Sequence, residues 1–264
     1  LREATANNNT AIGYQALKTN TTGSQNVAIG AEASDTSTTA QDNVIVGYRA
    51  GKALTTGGNN VALGSQAFDV NTTGANNVAI GKHCMGGNTT ASENTSVGTE
   101  ALEANTTGAQ NCAFGFRALE ANTTASHNTA FGHEALKSNT TGTENVAVGS
   151  DVLDANTEGS YNIGIGHKAL TDCTTGSINV AIGREAIENL TTGSKNVGVG
   201  RSALVALTTG EENTAIGDAV AASCTTGSTN TAVGNAAMKL TTTASNLVAV
   251  GREALYSNTT GTKG

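Results

Sequence analysis

The chain has 264 residues, of which 37% are hydrophobic and only 13% charged, with 33 Gly, no Pro, no Trp, 4 Tyr and 4 Phe. So few bulky side chains cannot fill a conventional core, and the low charge with strong patterning argues against a disordered polyelectrolyte. A net charge of −7 with no Lys/Arg run excludes an electrostatic footprint for nucleic acid, and no run of about 18 apolar residues exists to insert into a membrane.

From Asn9 the pattern N-[VT]-A-[IV]-G-x-x-A-L-x-x-N-T-T-G-x-x returns every 17 residues, fifteen times, through Lys263, without insertion or deletion. Residues 1–8 fit as a partial coil, with Thr5 and Ala6 standing where later coils have Thr-Gly, and Gly264 opens a further coil. Both ends fall inside the repeat, which reads as a segment of a longer chain. A fixed short period marks a stack of like units, each burying its face against the next. The expected fold is all-β: a repetitive β-solenoid, or β-roll, of about fifteen 17-residue coils, with residues 9–263 as one shaft.

Within a coil the elements follow in order. Position 1 is Asn in fourteen coils, including Asn26, Asn43, Asn60, Asn77, Asn94, Asn111 and Asn128, with Leu247 the exception. Stacked about 4.8 Å apart, such amides can bond one another as a ladder. Positions 2 to 4 read as a strand, as in Val27–Ile29 (VAI) and Val78–Ile80 (VAI), with positions 2 and 4 on one face and position 3 on the other. Position 5 is Gly throughout: Gly13, Gly30, Gly47, Gly64, Gly81, Gly98, Gly115, Gly132, Gly149, Gly166, Gly183, Gly200, Gly217, Gly234 and Gly251. A glycine filling one column without exception predicts a corner with positive φ or a close backbone approach. Positions 6 to 11, such as Thr99–Ala104 (TEALEA), have helix propensity, so a single helical turn per coil is an alternative to irregular backbone. Position 7 runs Glu100, Arg117, Glu134, Asp151, Lys168, Glu185, with opposite charges mostly adjacent and Glu134–Asp151 the exception, which suits a solvated face. The Asn-Thr-Thr turns, Asn20–Thr22 and Asn105–Thr107 among them, match the N-x-T glycosylation pattern. A corner role for the Asn is preferred, since Leu54, Leu190 and Leu207 occupy the same column. Position 13 is always Thr, and position 14 is Thr except at Glu158. Position 15 is Gly or, at 40, 91, 125 and 244, Ala, which favours a tight contact over an obligatory positive φ. Positions 16 and 17, Thr143 and Glu144 for example, vary as a solvent-facing loop does.

Alanine dominates positions 3 and 8 and suits a narrow lumen, which turns the Val/Ile of positions 2 and 4 outward. Fifteen rungs at about 4.8 Å form a stripe roughly 70 Å long, and at about 10 Å wide it covers about 700 Å², more than a soluble monomer ordinarily exposes. Packing of the stripe against copies of itself follows, with three-fold closure the natural choice for a fibre. The opposite assignment, aliphatics inside and Ala outside, would permit a monomer.

The repeats at Asn9–Gly23 and Asn128–Gly142 resemble those of trimeric tail-fibre-like proteins of phages and marine bacteria, chains that often end in a self-cleaving intramolecular chaperone domain. The V-A-I-G unit also resembles the left-handed β-roll heads of trimeric autotransporter adhesins, whose coil is shorter than 17 residues, so geometry and handedness do not carry over. The resemblance implies a homotrimer at the cell surface, in the extracellular space or on a virion. It implies a structural shaft displaying a receptor-binding tip, with the host-cell or surface receptor engaged through other regions. Two further readings are a self-assembling filament or surface-layer subunit, and a lattice or ice-binding solenoid built on the Thr columns.

Chemistry finds little footing. Gly198–Ala203 (GVGRSA) matches a dinucleotide fingerprint, but it arises when position 3 becomes Gly beside the fixed position 5, as at Gly164–Gly166, and no βαβ unit surrounds either. Cys84, Cys112, Cys173 and Cys224 lack CxxC partners, and Cys173 and Cys224 share a column three rungs apart, about 14 Å, too far for a disulfide. His83, His127, His133 and His167 read as solvated; His133 and His167 are two rungs apart, about 9.6 Å, too far to bind one ion directly. No catalytic, cofactor-binding or metal residue is assigned, no cofactor is expected, and the segment is read as non-enzymatic.

Overall fold

The structure, a computed structural model, describes residues 7–259; Thr5, Ala6 and the rest of residues 1–6, with residues 260–264, lie outside the described residues. The chain divides into two compact units, Leu1–Asn128 and Thr129–Gly264. The first contains seven three-residue strands, from β1 (Thr10–Ile12) to β7 (Cys112–Phe114). The second contains eight, from β8 (Thr129–Phe131) to β15 (Val248–Val250). Inside each unit consecutive strands pair in parallel with a constant 17-residue offset: Ala11 faces Ala28 in the first, and Gly164 faces Ala181 in the second. Each unit is therefore a parallel β-solenoid, and no helix occurs among the described residues.

The segment with helix propensity is not helical because, among the described residues, positions 7, 9 and 17 of the coils adopt the left-handed region. In the fifth coil these are His83 (φ 56°), Met85 (φ 51°) and Glu93 (φ 62°), at positions 7, 9 and 17. Left-handed backbone costs a non-glycine residue about 1 kcal/mol. Bonds to the rungs on either side offset that cost. Glu100 N–H donates to the Lys82 carbonyl at 3.0 Å, Leu102 N–H to Ala118 at 3.0 Å, and Ala104 N–H to Glu120 at 2.9 Å. A helix would satisfy these donors within its own turn and leave the neighbouring rungs unpaired.

The interior is built from positions 3, 8, 9 and 12. Position 3 points inward, so Ala28, Ala62 and Ala79 in the first unit and Ala130, Ala147 and Ala181 in the second are fully buried. Aliphatics at positions 2 and 4 stay partly exposed, which rules out the arrangement with alanine outside. Position 9 supplies the bulk of the core, through Phe68, Met85, Leu102 and Leu119 in one unit and Leu136, Leu153, Leu170 and Ile187 in the other. Volume is traded between this column and position 3. Strand β3 (Val44–Val46) carries Ile45 in place of Ala, and position 9 of that coil is Gly51, whose Cβ would lie 3.2 Å from Ile45 Cδ1.

A related exchange accounts for the GxG matches, with Val152 at position 8 and Ile187 at position 9 of the preceding coils taking up the volume. At Gly164, on β10 (Ile163–Ile165), a Cβ would come within 2.5 Å of Val152 Cγ1. At Gly198, on β12 (Val197–Val199), it would come within 2.6 Å of Ile187 Cγ1. These glycines make room for a branched residue of the preceding coil, as dense packing requires.

Candidate functional site

Position-5 glycines close the strand at φ values between 122° and 144°, a region essentially reserved for glycine. Those followed by a further corner, such as Gly30 and Gly183, also face it. A Cβ on Gly30 would meet the Gly47 carbonyl oxygen at 2.3 Å, and one on Gly183 the Gly200 oxygen at 2.6 Å. Both causes of an all-glycine column act together here. Position 15 differs: its φ lies outside the left-handed region, although a Cβ on Gly74 would approach the Ala91 oxygen at 2.2 Å.

Two asparagine ladders run through the interior, and they bond differently. At position 1, Asn60 Nδ2 donates to Asn43 Oδ1 at 3.1 Å and to the Gly74 carbonyl at 3.0 Å, while Asn43 Oδ1 also accepts the Asn60 backbone N–H at 2.9 Å. Asn26, Asn43, Asn77, Asn94, Asn111 and Asn128 repeat the backbone bond rung by rung, as Asn162, Asn179, Asn196, Asn213 and Asn230 do in the second unit. Leu247 keeps only that donor, its N–H bonding Asn230 Oδ1 at 3.0 Å. At position 12, Asn105 Nδ2 donates to Asn88 Oδ1 at 3.0 Å and to the Gly108 carbonyl at 2.9 Å, and its own Oδ1 accepts Asn122 Nδ2 at 2.8 Å. Where the next residue of the column is not Asn, the ladder stops: Asn20 precedes Ser37, Asn156 precedes Cys173, and both Oδ1 atoms are buried without a partner. This second ladder went unread in the sequence, although eight Asn in one column signalled it. Asn71, Asn88, Asn105, Asn122 and Asn139 are fully buried, so the folded chain does not present their N-x-T motifs for glycosylation.

Threonines of position 13 form a third row, each hydroxyl donating to the next Thr carbonyl, as Thr55 does to Thr72 at 2.9 Å and Thr208 to Thr225 at 3.0 Å. The position-14 threonines are the exposed column. Positions 16 and 17 are less free than a loop. Ser160 Oγ accepts the Thr143 N–H at 3.0 Å, and Glu144 holds φ 58°.

The outer sheet face is apolar at every rung. Position 4 carries Ile, Val, Leu or Phe throughout, and in the second unit Val148, Ile165, Ile182, Ile216 and Val250 are each at least 37% exposed. Val27, Val61 and Val78 at position 2 of the first unit stand beside Ile29, Leu63 and Ile80, all half-buried. No family profile, characterised protein or solved structure matches the chain. The face must therefore be read from its own chemistry, and a parallel sheet is ordinarily covered on both faces.

Beside this face lies a charged flank made by positions 6, 7 and 10. Arg117 pairs with Glu100 at 2.7 Å and Glu120 at 3.7 Å, and Arg201 meets both oxygens of Asp218 at 2.7 and 2.9 Å. The Arg201 hydrogen bonds hold the Asp218 carboxyl below its ordinary range, as the Lys52 bond does for Glu32. Burial acts oppositely on Asp69 and Asp154, whose carboxyls are raised despite nearby cations. Asp151 reaches His133 Nδ1 at 3.6 Å through one oxygen and His167 Nε2 at 3.9 Å through the other. The two histidines that the sequence keeps apart are joined by the carboxylate of the intervening rung.

The cysteines form no disulfide, and three of them are buried. Burial pushes the Cys84 thiol to about 11 and the Cys173 thiol to about 12, and raises Cys224 as well. Cys84 sits 3.1 Å from Ser96 Oγ, where position 3 is Ser rather than Ala. Because alkylation requires an accessible thiolate, iodoacetamide on the native chain is expected to label the half-buried Cys112 first. The other three should react only on unfolding; equal labelling of all four in the native state, read by mass spectrometry, would contradict the interior placement.

Proposed function

We propose that the chain is a structural shaft segment of an extracellular fibre, assembled from copies of itself, with a homotrimer as the assembly and receptor contact made through other regions. The apolar column at position 4 of every rung, on the outer sheet face of each unit, carries this reading. Five exposed aliphatics in one column of the second unit gain about 25 cal/mol for each Å² of apolar surface they cover. A second copy of the same chain offers the same unbroken stripe, and closed rotation satisfies every copy at once. The neighbouring charged flank, where opposite charges mostly stand on adjacent rungs, keeps the remaining surface soluble and sets register.

Sedimentation equilibrium tests the proposal. The expected mass is three times 26.2 kDa, and the double variant Ile165→Lys, Ile182→Lys is expected to sediment as a monomer with an unchanged β-type circular dichroism spectrum. A wild-type chain that remains a 26.2 kDa monomer at micromolar concentration removes the assembly reading.

A further inference from the structure

The position-7 column puts two carboxylates, Glu134 and Asp151, on adjacent rungs, whereas Glu100 and Arg117 or Lys168 and Glu185 set opposite charges side by side. Like charges on neighbouring rungs are destabilising unless a cation lies between them. Lys137 pairs with Glu134 at 3.2 Å, while Asp151 contacts His133 and His167. One ligand atom each from His133, Glu134 and Asp151 can be chosen so that all three lie within 4.8 Å of one another. His133 is exposed and the two carboxylates half-buried, so an ion can reach the set from solvent.

We propose that His133, Glu134 and Asp151 form a binding site for a divalent transition metal of the Zn2+ type, with His167 approaching from the next rung through the second Asp151 oxygen. Imidazole with carboxylate is a donor set suited to Zn2+, whereas Ca2+ and Mg2+ favour oxygen alone. A bound ion at about 2.0–2.2 Å from each donor would neutralise the like-charge pair and clamp two successive rungs. A second group among the described residues differs. Glu100, Glu103 and Glu120 also lie close together, but the Arg117 guanidinium already pairs with two of them. The proposal does not depend on the fibre reading.

Isothermal titration of the full chain with Zn2+ at about pH 7.5, where imidazole is mostly neutral, should show saturable binding. His133→Ala and Asp151→Asn should each weaken it by about tenfold or more, while His127→Ala, which supplies none of the three donors, leaves it unchanged. Visible absorption of Co2+ in place of Zn2+ gives an independent readout, with the ligand-field bands lost in the same two variants. Mg2+ should not compete. No saturable Zn2+ binding by the wild type, or binding equal in wild type, His133→Ala and Asp151→Asn, overturns the site.

Discussion

Replacing Gly132 with Val is expected to destabilise the second unit by about 4 kcal/mol, through two additive mechanisms. Gly132 holds φ 140°, which a β-branched residue does not adopt, and its Cβ would lie 2.0 Å from the Gly149 carbonyl oxygen. Backbone surrounds the site, so no flexible side chain can yield. Thr143→Val is expected to cost no more than about 0.5 kcal/mol, since its side chain is only half-buried. Glu144→Val falls between them. The side chain is exposed, but φ 58° opposes a β-branched residue by about 1 kcal/mol. That column does hold Ile178 at φ 62° and Thr229 at φ 59°, so the strain is bearable. Because a rung touches mainly its neighbours, the Gly132 loss should emerge as a separate early step in denaturant unfolding. Equal destabilisation by Gly132→Val and Thr143→Val would refute the corner assignment.

The two asparagine ladders should respond very differently to the same change. Asn179→Leu is expected to cost about 3 kcal/mol or more, because several buried groups lose their partners together. Asn179 Oδ1 accepts both the backbone N–H and the amide of Asn196, at 2.9 and 3.2 Å, and its own amide bonds the Gly193 carbonyl at 3.0 Å. Leucine leaves that backbone donor buried and unmatched. Asn105→Leu should cost only about 1 kcal/mol, since the Gly108 carbonyl still accepts Asn94 Nδ2 at 3.0 Å and Asn122 Nδ2 still bonds the Ala125 carbonyl at 3.0 Å. The protein has made this second substitution itself, at Leu54, Leu190 and Leu207, all fully buried. Thermal unfolding of the two single variants decides the matter, and equal losses would show that backbone satisfaction does not distinguish the ladders.

Much of the architecture was legible because a 17-residue period leaves each column in one environment, so the tolerated residues report that environment directly. The all-glycine corner at position 5, the small residue at position 15 and the inward alanine of position 3 are all written that way. Positions 6 to 11 were ambiguous, since helix propensity is a local quantity and the competing bonds to neighbouring rungs are not. Position 9 illustrates the same limit. Its Leu, Met, Phe and Ile form the main core column, yet the spacing of Leu102 from Ala113 across a corner carries no period-2 or period-3.6 signal.

The candidate metal group was hidden for a related reason. His133 and His167 share a column two rungs apart, and only side-chain geometry shows the Asp151 carboxylate reaching one with each oxygen. Column statistics say nothing about such a histidine-containing group, which occurs once among the described residues.

By itself, then, the sequence determined the repeat, its corners, its inward small residues and its outward aliphatic column, because each of these is a property of one position repeated in register. Tertiary structure alone decided that the central segment is left-handed backbone rather than helix, and that branched residues at Val152 and Ile187 require Gly164 and Gly198. It also decided that only the position-1 amide supports a backbone donor. Those outcomes depend on contacts between successive rungs, where packing density and hydrogen-bond satisfaction override what any single coil prefers.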